Sequence, residues 1–184
     1  MRHIPNALTV LRLLAAPLLA WLIIRGQFSE ALMLVLFAGL TDWLDGWTAR
    51  RLGVGGKLGV ILDPLADKTL LVTLFICLGI AGLVPFWLVL LVLGRDVVIV
   101  VGALLLRLFR HVRRFLPSML GKISTFFQIV LVLLVLLEAA FPLRLLSWLE
   151  ATGLLLSALF TALSGLDYIL RGVQMAGRRA LPSE

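Results

Sequence analysis

Long apolar stretches separated by short polar segments run along almost the whole of this chain. Six of them are long enough to cross a bilayer, since a transmembrane helix needs about 20 predominantly apolar residues. The predicted spans are Leu8 to Ile24, Ala31 to Arg51, Leu58 to Ile80, Val84 to Leu106, Met119 to Leu137 and Leu145 to Leu170. The pattern therefore predicts an all-α integral membrane protein with six transmembrane helices.

The segment that precedes the first span is amphipathic. Pro5 and Asn6 are typical of a helix start, with Asn6 as the N-cap. From there to Arg12 the segment is amphipathic enough to lie at the membrane surface. We therefore expect a short N-terminal interfacial helix before the chain turns into the bilayer.

Basic residues are distributed unevenly among the connections. They follow the second, fourth and sixth spans, and their positions are Arg51, Lys57, Arg107, Arg110, Arg113, Arg114, Arg171, Arg178 and Arg179. Only Arg25 and Arg144 fall in the other set of loops. Because cytoplasmic loops are enriched in lysine and arginine, both termini are predicted to be cytoplasmic, and so is the loop between spans two and three.

Composition agrees with a membrane location. Of the 184 residues, 61% are hydrophobic and 15% are charged, whereas soluble domains are roughly half apolar. The length suits one domain, residues 1–184, with no room for an additional soluble domain of ordinary size. The formal charge of +7 lacks the basic face or aromatic platform that nucleic-acid binding needs, so we expect no nucleic-acid partner.

Four aspartates interrupt the second and third spans. Asp42 and Asp45 are three residues apart, and Asp63 and Asp67 are four apart, so each pair projects from one face of a helix. Asp45 lies six residues before Arg51 and Asp63 six residues after Lys57. At 1.5 Å per residue, all four carboxylates are expected roughly 9 to 15 Å from the cytoplasmic end of a helical hairpin.

Carboxylates this close together would repel one another and protonate unless cations neutralised them. Oxygen ligands without histidine or cysteine favour Mg²⁺ or Mn²⁺ over zinc, and Ca²⁺ is chemically possible. Two ions fit four carboxylates better than one, and such a pair can hold a diphosphate during phosphoryl transfer. The aspartates therefore predict a dimetal site that opens to the cytoplasm.

Small residues and one arginine accompany the aspartates. Gly46 and Gly59 lie one helical turn from Asp42 and Asp63, where a missing side chain would admit either a ligand or the facing helix. Arg50, which follows Ala49, is placed either to pair with a phosphate or to serve as an interfacial positive charge.

Together these positions resemble the signature of the CDP-alcohol phosphatidyltransferase family. The motif reads Asp42-x2-Asp45-Gly46-x2-Ala49-Arg50-x8-Gly59-x3-Asp63-x3-Asp67, and it matches without departure. Further similarity lies in Asn6-x-Leu8-Thr9-x2-Arg12 with Pro17, in Asp63-Pro64-Leu65-Ala66-Asp67-Lys68, in Arg95-Asp96 and in Gly121-Lys122 with Thr125. The similarity therefore covers most of the chain.

The resemblance implies a six-helix, homodimeric membrane enzyme that moves a phosphatidyl group from CDP-diacylglycerol to an alcohol and releases CMP. It implies that Asp42, Asp45, Asp63 and Asp67 bind two divalent cations and that Asp67 is also the general base. The residues implied to line the cytidine diphosphate pocket are Asp42, Gly46, Ala49, Arg50 and Gly59. We expect the enzyme in a bacterial inner (plasma) membrane with a cytoplasmic active site.

The acceptor is either phosphatidylglycerol, as in cardiolipin synthases of this family, or glycerol-3-phosphate, as in phosphatidylglycerophosphate synthases. The latter typically have Arg-Glu at Arg95-Asp96, arginine at Ala103 and lysine at Ser124, so this chain lacks two of their positive charges. A phosphatidylglycerol headgroup carries a single negative charge, which favours cardiolipin synthesis. The candidate acceptor-binding residues are Arg12, Arg95, Asp96 and Lys122.

A cation channel or transporter is the alternative from another class, because intramembrane aspartates also line ion paths. A path needs polar groups through the full membrane thickness, whereas the ionisable residues of the predicted spans map mainly to the cytoplasmic half, with Glu138 as the main exception. A half-depth cavity therefore fits better than a pore.

Overall fold

The polypeptide adopts α-helices wherever the sequence predicts apolar spans. A computed structural model describes the backbone of residues 4–52, 59–110 and 118–177, and within these ranges it contains six helices and no strand. The helices are α1 (Ile4–Ile24), α2 (Phe28–Leu52), α3 (Gly59–Ile80), α4 (Phe86–Arg110), α5 (Met119–Ala140) and α6 (Arg144–Gly177). The all-α prediction is confirmed over the described residues.

Several helices are longer than the apolar stretches that predicted them. The second begins at Phe28 rather than Ala31, and the sixth continues to Gly177 rather than ending near Leu170. With 34 residues, α6 is about 50 Å long at 1.5 Å per residue, which exceeds the roughly 30 Å hydrocarbon core. Polar residues at the ends of a span adopt helical backbone readily, so hydropathy underestimates helix length.

The prediction of a separate N-terminal interfacial helix is wrong. The first helix runs without interruption from Ile4 to Ile24, so Asn6 lies inside it rather than at an N-cap. Pro5 falls in the first turn, where its missing N–H is tolerated, and no glycine or charge cluster breaks the helix before Leu13. The amphipathic segment is therefore the first part of α1.

Two helices end with the same glycine-dependent motif. Gly26 and Gly82 have φ angles of 73° and 74°, in the left-handed region that glycine adopts without steric cost. After α1, the N–H of Gly26 donates to the carbonyl of Ile23 and the N–H of Gln27 donates to Leu22. This is a Schellman motif, and the corresponding bonds of Gly82 and Leu83 end α3 in the same way.

Two of the described helices are long and apolar enough to cross a membrane by themselves. They comprise Met119–Ala140 and Leu145–Gln174. The aspartates and terminal arginines lower the mean hydropathy of α2, which is the least apolar of the six helices. Six membrane spans therefore remain a prediction, whereas six helices are observed in the described ranges.

The chain divides into two compact units. The first comprises Met1–Phe86 and Val132–Ser147, and the second comprises Trp87–Leu131 and Trp148–Glu184. In the first unit α1 packs against both α2 and α3. Its fully buried side chains include Leu19 of α1 and Phe75 and Leu78 of α3. The helices that carry the aspartates thus share α1 as a packing partner.

Candidate active site

The aspartates lie on two uninterrupted helices of the first unit. Asp42 and Asp45 belong to α2, and Asp63 and Asp67 belong to α3. Because both helices are continuous through these positions, the spacing of three and four residues places each pair on one helix face. The side chains of Asp42, Asp45 and Asp63 lie outside the described residues, so their joint metal ligation stays a prediction.

Asp67 is the one aspartate of the four with a described side chain, and it is exposed at the surface of α3. The preceding Ala66 is 3% exposed, so the buried and accessible faces of α3 meet at this point. A metal ligand must be accessible to the ion, and a general base must be accessible to the substrate from which it takes a proton. The exposure of Asp67 is consistent with either role.

The other predicted nucleotide-binding residues continue the same helices. Gly46, Ala49 and Arg50 follow the aspartates in α2, and Gly59 is the first residue of α3. Arg12, a candidate for the acceptor, lies in α1. The structure does not describe the side chains of Ala49, Arg50 and Arg12. It also does not describe the environment of Gly46 and Gly59.

An apolar groove of about 130 Å³ runs between α1 and α2. It is lined by Leu14, Ala15, Leu18, Leu34, Phe37, Ala38 and Thr41. The Thr41 hydroxyl is 2.9 Å from the carbonyl oxygens of both Phe37 and Ala38, so its proton is directed to its own helix backbone. The groove therefore remains apolar up to the residue that precedes Asp42.

Arg95 and Asp96 form a buried ion pair on α4 of the second unit. Their exposed fractions are 8% and 7%, and Arg95 Nη1 lies 2.9 Å from Asp96 Oδ1. A buried charge is costly unless it is paired and hydrogen-bonded. The pair therefore supplies its own compensation, and whether it also contacts an acceptor stays a prediction.

The guanidinium of Arg95 also contacts α5 and α6. Ser164 Oγ accepts from Nε at 3.2 Å and from Nη2 at 3.0 Å. The Gly121 carbonyl accepts from Nη2 at 3.3 Å, and the Tyr168 ring lies beneath the guanidinium at 5.8 Å. One side chain thus joins three helices of the second unit.

Gly121 permits this close approach. A Cβ atom at this position would lie 3.1 Å from Arg95 Nη2, 3.1 Å from the Tyr168 hydroxyl and 3.3 Å from Ser118 Oγ. Ser118 caps α5 by accepting from the Gly121 N–H at 3.0 Å, and its own N–H donates to the Tyr168 hydroxyl at 3.0 Å. The start of α5 is therefore tied to α6.

Buried polar side chains continue from this cluster along α5 and α6. Thr161 Oγ1 lies 3.1 Å from Ser124 Oγ and accepts from Gln128 Nε2 at 3.0 Å. Gln128 Nε2 is also 3.3 Å from Ser124 Oγ. These three side chains are at most 1% exposed, so they satisfy one another's polar groups.

Comparison with known proteins decides the class of this polypeptide. The family model for CDP-alcohol phosphatidyltransferases matches residues 2–163. The chain belongs to the CDP-alcohol phosphatidyltransferase family. It is therefore an enzyme, and the alternative of a cation channel or transporter is not supported.

The relatives divide between two named activities. The chain is 33% identical over 181 residues to the CDP-diacylglycerol–glycerol-3-phosphate 3-phosphatidyltransferase of Aquifex aeolicus, with 94% of this chain and 97% of the relative covered. It is 38% identical over 154 residues to a cardiolipin synthase (CMP-forming) and mitochondrial hydrolase fusion protein of Schizosaccharomyces pombe, with 76% of this chain covered. It spans only 26% of that fusion protein.

The cardiolipin synthase (CMP-forming) of Rattus norvegicus is 36% identical over 145 residues, with 70% of this chain and 48% of the relative covered. Similarity of this degree to both named activities places the chain in the phosphatidyltransferase family without separating the two acceptors.

For this phosphatidyltransferase, sequence reasoning missed the partners of Arg95 on α6. Ser164 and Tyr168 share one helix face with Ser157 and Thr161, at offsets of four, seven and eleven residues from Ser157. That spacing of hydroxyl residues in an apolar helix was the available signal. Lys122, by contrast, is exposed, so it does not share the burial of Arg95 and Asp96.

Proposed function

We propose that this phosphatidyltransferase moves a phosphatidyl group from CDP-diacylglycerol to an alcohol acceptor with CMP as the leaving group, and that it requires two divalent cations. The observation that supports this is the placement of four aspartates on the uninterrupted helices α2 and α3. Membership of the CDP-alcohol phosphatidyltransferase family supplies the reaction class.

The donor set fits a hard divalent cation. Asp42, Asp45, Asp63 and Asp67 offer carboxylate oxygens alone, which suits Mg²⁺ or Mn²⁺. Bound ions would offset the negative charge of the diphosphate and of the departing CMP. Among the protein groups, Arg50 would pair with a phosphate, while Gly46 and Gly59 would let the nucleotide approach the backbone and Ala49 would line its pocket.

Asp67 would remove the acceptor proton. An alcohol is a weak nucleophile, and transfer of its proton to a carboxylate oxygen of Asp67 lets the alcohol oxygen attack the phosphorus that carries the diacylglycerol. A new phosphorus–oxygen bond forms to the acceptor, and the bond from this phosphorus to the CMP oxygen breaks. The exposed side chain of Asp67 allows the contact that this role needs.

Phosphatidylglycerol is the acceptor that the charges favour. Ser124, a position at which glycerol-3-phosphate enzymes typically have lysine, is a fully buried residue bonded to Thr161. Arg95 is already paired with Asp96. A monoanionic phosphodiester needs fewer cations than a dianionic phosphomonoester, so cardiolipin synthesis suits this residue set better.

Separate acceptor assays test the proposal. Purified enzyme with labelled CDP-diacylglycerol and Mg²⁺ or Mn²⁺ is given phosphatidylglycerol or glycerol-3-phosphate, and CMP release and lipid products are measured. We expect faster formation of cardiolipin than of phosphatidylglycerophosphate. Rapid turnover with glycerol-3-phosphate and none with phosphatidylglycerol would refute the acceptor but not the reaction class, whereas no CMP release with either would refute the function.

We also propose six membrane spans, cytoplasmic termini, a cytoplasmic active site and a homodimer. The uneven distribution of basic residues among the connections supports alternating loop exposure. Single cysteines near Gly55 and His111, which lie outside the described residues, should be labelled only after permeabilisation of cells that carry Cys77→Ala. Cysteines near Gln27, Pro85 and Pro142 should be labelled from outside, and outside labelling at position 55 would contradict the orientation.

A further inference from the structure

The orientation of the Arg95 guanidinium is determined by hydrogen bonds from all three of its nitrogens. Nη1 donates to Asp96, Nη2 donates to Ser164 and to the Gly121 carbonyl, and Nε donates to Ser164. Arginine presents its donors in a rigid planar fork. Acceptors on several sides of that fork therefore hold the plane in one orientation.

Ser164 is the acceptor on the Nε edge of this fork. A single oxygen that accepts from both Nε and Nη2 defines the direction of that edge, which a contact to one nitrogen would not do. Ser164 is fully buried at 0% exposure. Water would therefore have to enter a buried site to replace its oxygen as the acceptor. Loss of the hydroxyl would leave two N–H groups of a buried cation without this acceptor.

Tyr168 and the start of α5 restrict the remaining freedom. The Tyr168 ring lies 5.8 Å from the guanidinium carbon, and its hydroxyl accepts from the Ser118 N–H. Ser118 in turn caps α5 at Gly121, whose carbonyl accepts from Arg95. Tyr168, Ser118 and Gly121, which are bonded to one another, thus hold the Nη2 side of the guanidinium.

We propose that Ser164 is a positioning residue that orients Arg95 toward the phosphate of the acceptor. The proposal rests on the proposed function and on the prediction from the sequence that Arg95 contributes to acceptor binding. Its hydrogen bonds to Asp96, Ser164 and Gly121 use four of the five guanidinium N–H groups. The second N–H of Nη1 is therefore the one that would donate to an anionic phosphate. An arginine that is oriented in advance loses less conformational freedom when it binds an anion.

The matched pair Ser164→Ala and Ser157→Ala tests this role. Both substitutions remove a fully buried serine hydroxyl from the same face of α6, but Ser157 Oγ has no hydrogen-bond partner among the described residues. Steady-state kinetics are measured in mixed micelles with phosphatidylglycerol and with glycerol-3-phosphate. We expect Ser164→Ala to raise the KM for the acceptor that the wild type uses by about tenfold, with an unchanged KM for CDP-diacylglycerol.

Ser157→Ala should leave both KM values within about twofold of wild type, because it removes no bond to Arg95. An equal effect of the two alanine variants on the acceptor KM would overturn the proposal. So would an increase of both KM values by Ser164→Ala, since a general structural defect does not distinguish the two substrates.

The pair Ser164→Thr and Ser164→Val answers the case in which the alanine variant does not fold. Threonine and valine have nearly the same shape, but only threonine keeps the acceptor oxygen. We expect the threonine variant to retain an acceptor KM several-fold lower than that of the valine variant. Equal values for the two would overturn the role of the hydroxyl.

A double-mutant cycle with Arg95→Lys separates positioning from other effects of Ser164. Lysine lacks the fork, so Ser164→Ala should have little additional effect on acceptor KM in that background. A full additive effect would contradict action through Arg95. If the wild type releases CMP with neither acceptor, the proposed function itself fails, whereas an active wild type with an unresponsive Ser164 refutes only this inference.

Discussion

The two units of the molecule place charge in apolar helices in different ways. In the second unit, Arg95 and Asp96 are adjacent in sequence, buried and paired with each other, and hydroxyl and carbonyl groups accept from Nε and Nη2 of Arg95. In the first unit, α2 and α3 carry the four aspartates of the motif, and the side chain of Asp67 is exposed.

This difference indicates that the charged residues of the two units have different roles. A pair that is compensated by its own neighbours is a permanent part of the packing. A group of like charges is stabilised by bound cations, which can also offset the charge of a substrate. The first arrangement favours positioning, and the second favours chemistry.

Removal of divalent cations should give the largest effect and should act through the first unit. Purified enzyme treated with a chelator is expected to lose turnover, because four carboxylates would then repel both one another and the diphosphate. Addition of Mg²⁺ or Mn²⁺ should restore CMP release. Activity that persists in thoroughly metal-stripped enzyme would contradict the dimetal proposal.

Asp67→Asn should reduce turnover by a factor of about 10² to 10⁴, the usual contribution of a general base. The amide keeps an oxygen near the metal but does not take the acceptor proton, so binding of CDP-diacylglycerol should be largely retained. CMP release and equilibrium binding are measured side by side. Turnover similar to wild type would rule out Asp67 as the base.

Gly121→Ala should have an intermediate effect, and it concerns the second unit. The new Cβ would lie 3.1 Å from both Arg95 Nη2 and the Tyr168 hydroxyl, and that hydroxyl is held by the N–H of Ser118. We expect the free energy of unfolding in detergent to fall by about 1 kcal/mol.

Gly94→Ala is the matched control for Gly121→Ala. A Cβ at Gly94 meets nothing within 4 Å, so the better helix propensity of alanine should stabilise α4 by up to about 1 kcal/mol. Equal changes in stability for the two variants would show that the Gly121 contact is unimportant.

Asp167→Asn should have the smallest effect. Asp167 Oδ1 lies 2.8 Å from Arg171 Nε, one turn later on α6, and the Arg171 side chain is 46% exposed. The Asp167 side chain is 20% exposed, and solvent-screened ion pairs at this spacing contribute about 0.3 to 0.5 kcal/mol. The variant is therefore expected to keep its stability and turnover nearly unchanged, and a large loss of turnover would mean that α6 carries a further functional carboxylate.

The helices were predictable because each depends on a long stretch of similar residues. Apolar runs indicated all six, but Asn6 was wrongly expected to cap a helix start, because an N-cap residue is also tolerated inside a helix that neighbouring residues continue. The extension of α6 to Gly177 was also missed, since hydropathy does not report where helical hydrogen bonds end.

The sequence by itself determined the reaction class and the aspartate pairs, because spacing along one helix decides which side chains share a face. Only the tertiary structure decided that Arg95 is held by Ser164, a residue 69 positions away in sequence. A serine in an apolar helix has many equivalent neighbours in sequence, and its partner is selected by how the helices pack. The aspartate pairs could therefore be recognised from their local spacing in the sequence. The hydrogen bonds around Arg95, by contrast, form only when α4, α5 and α6 pack together.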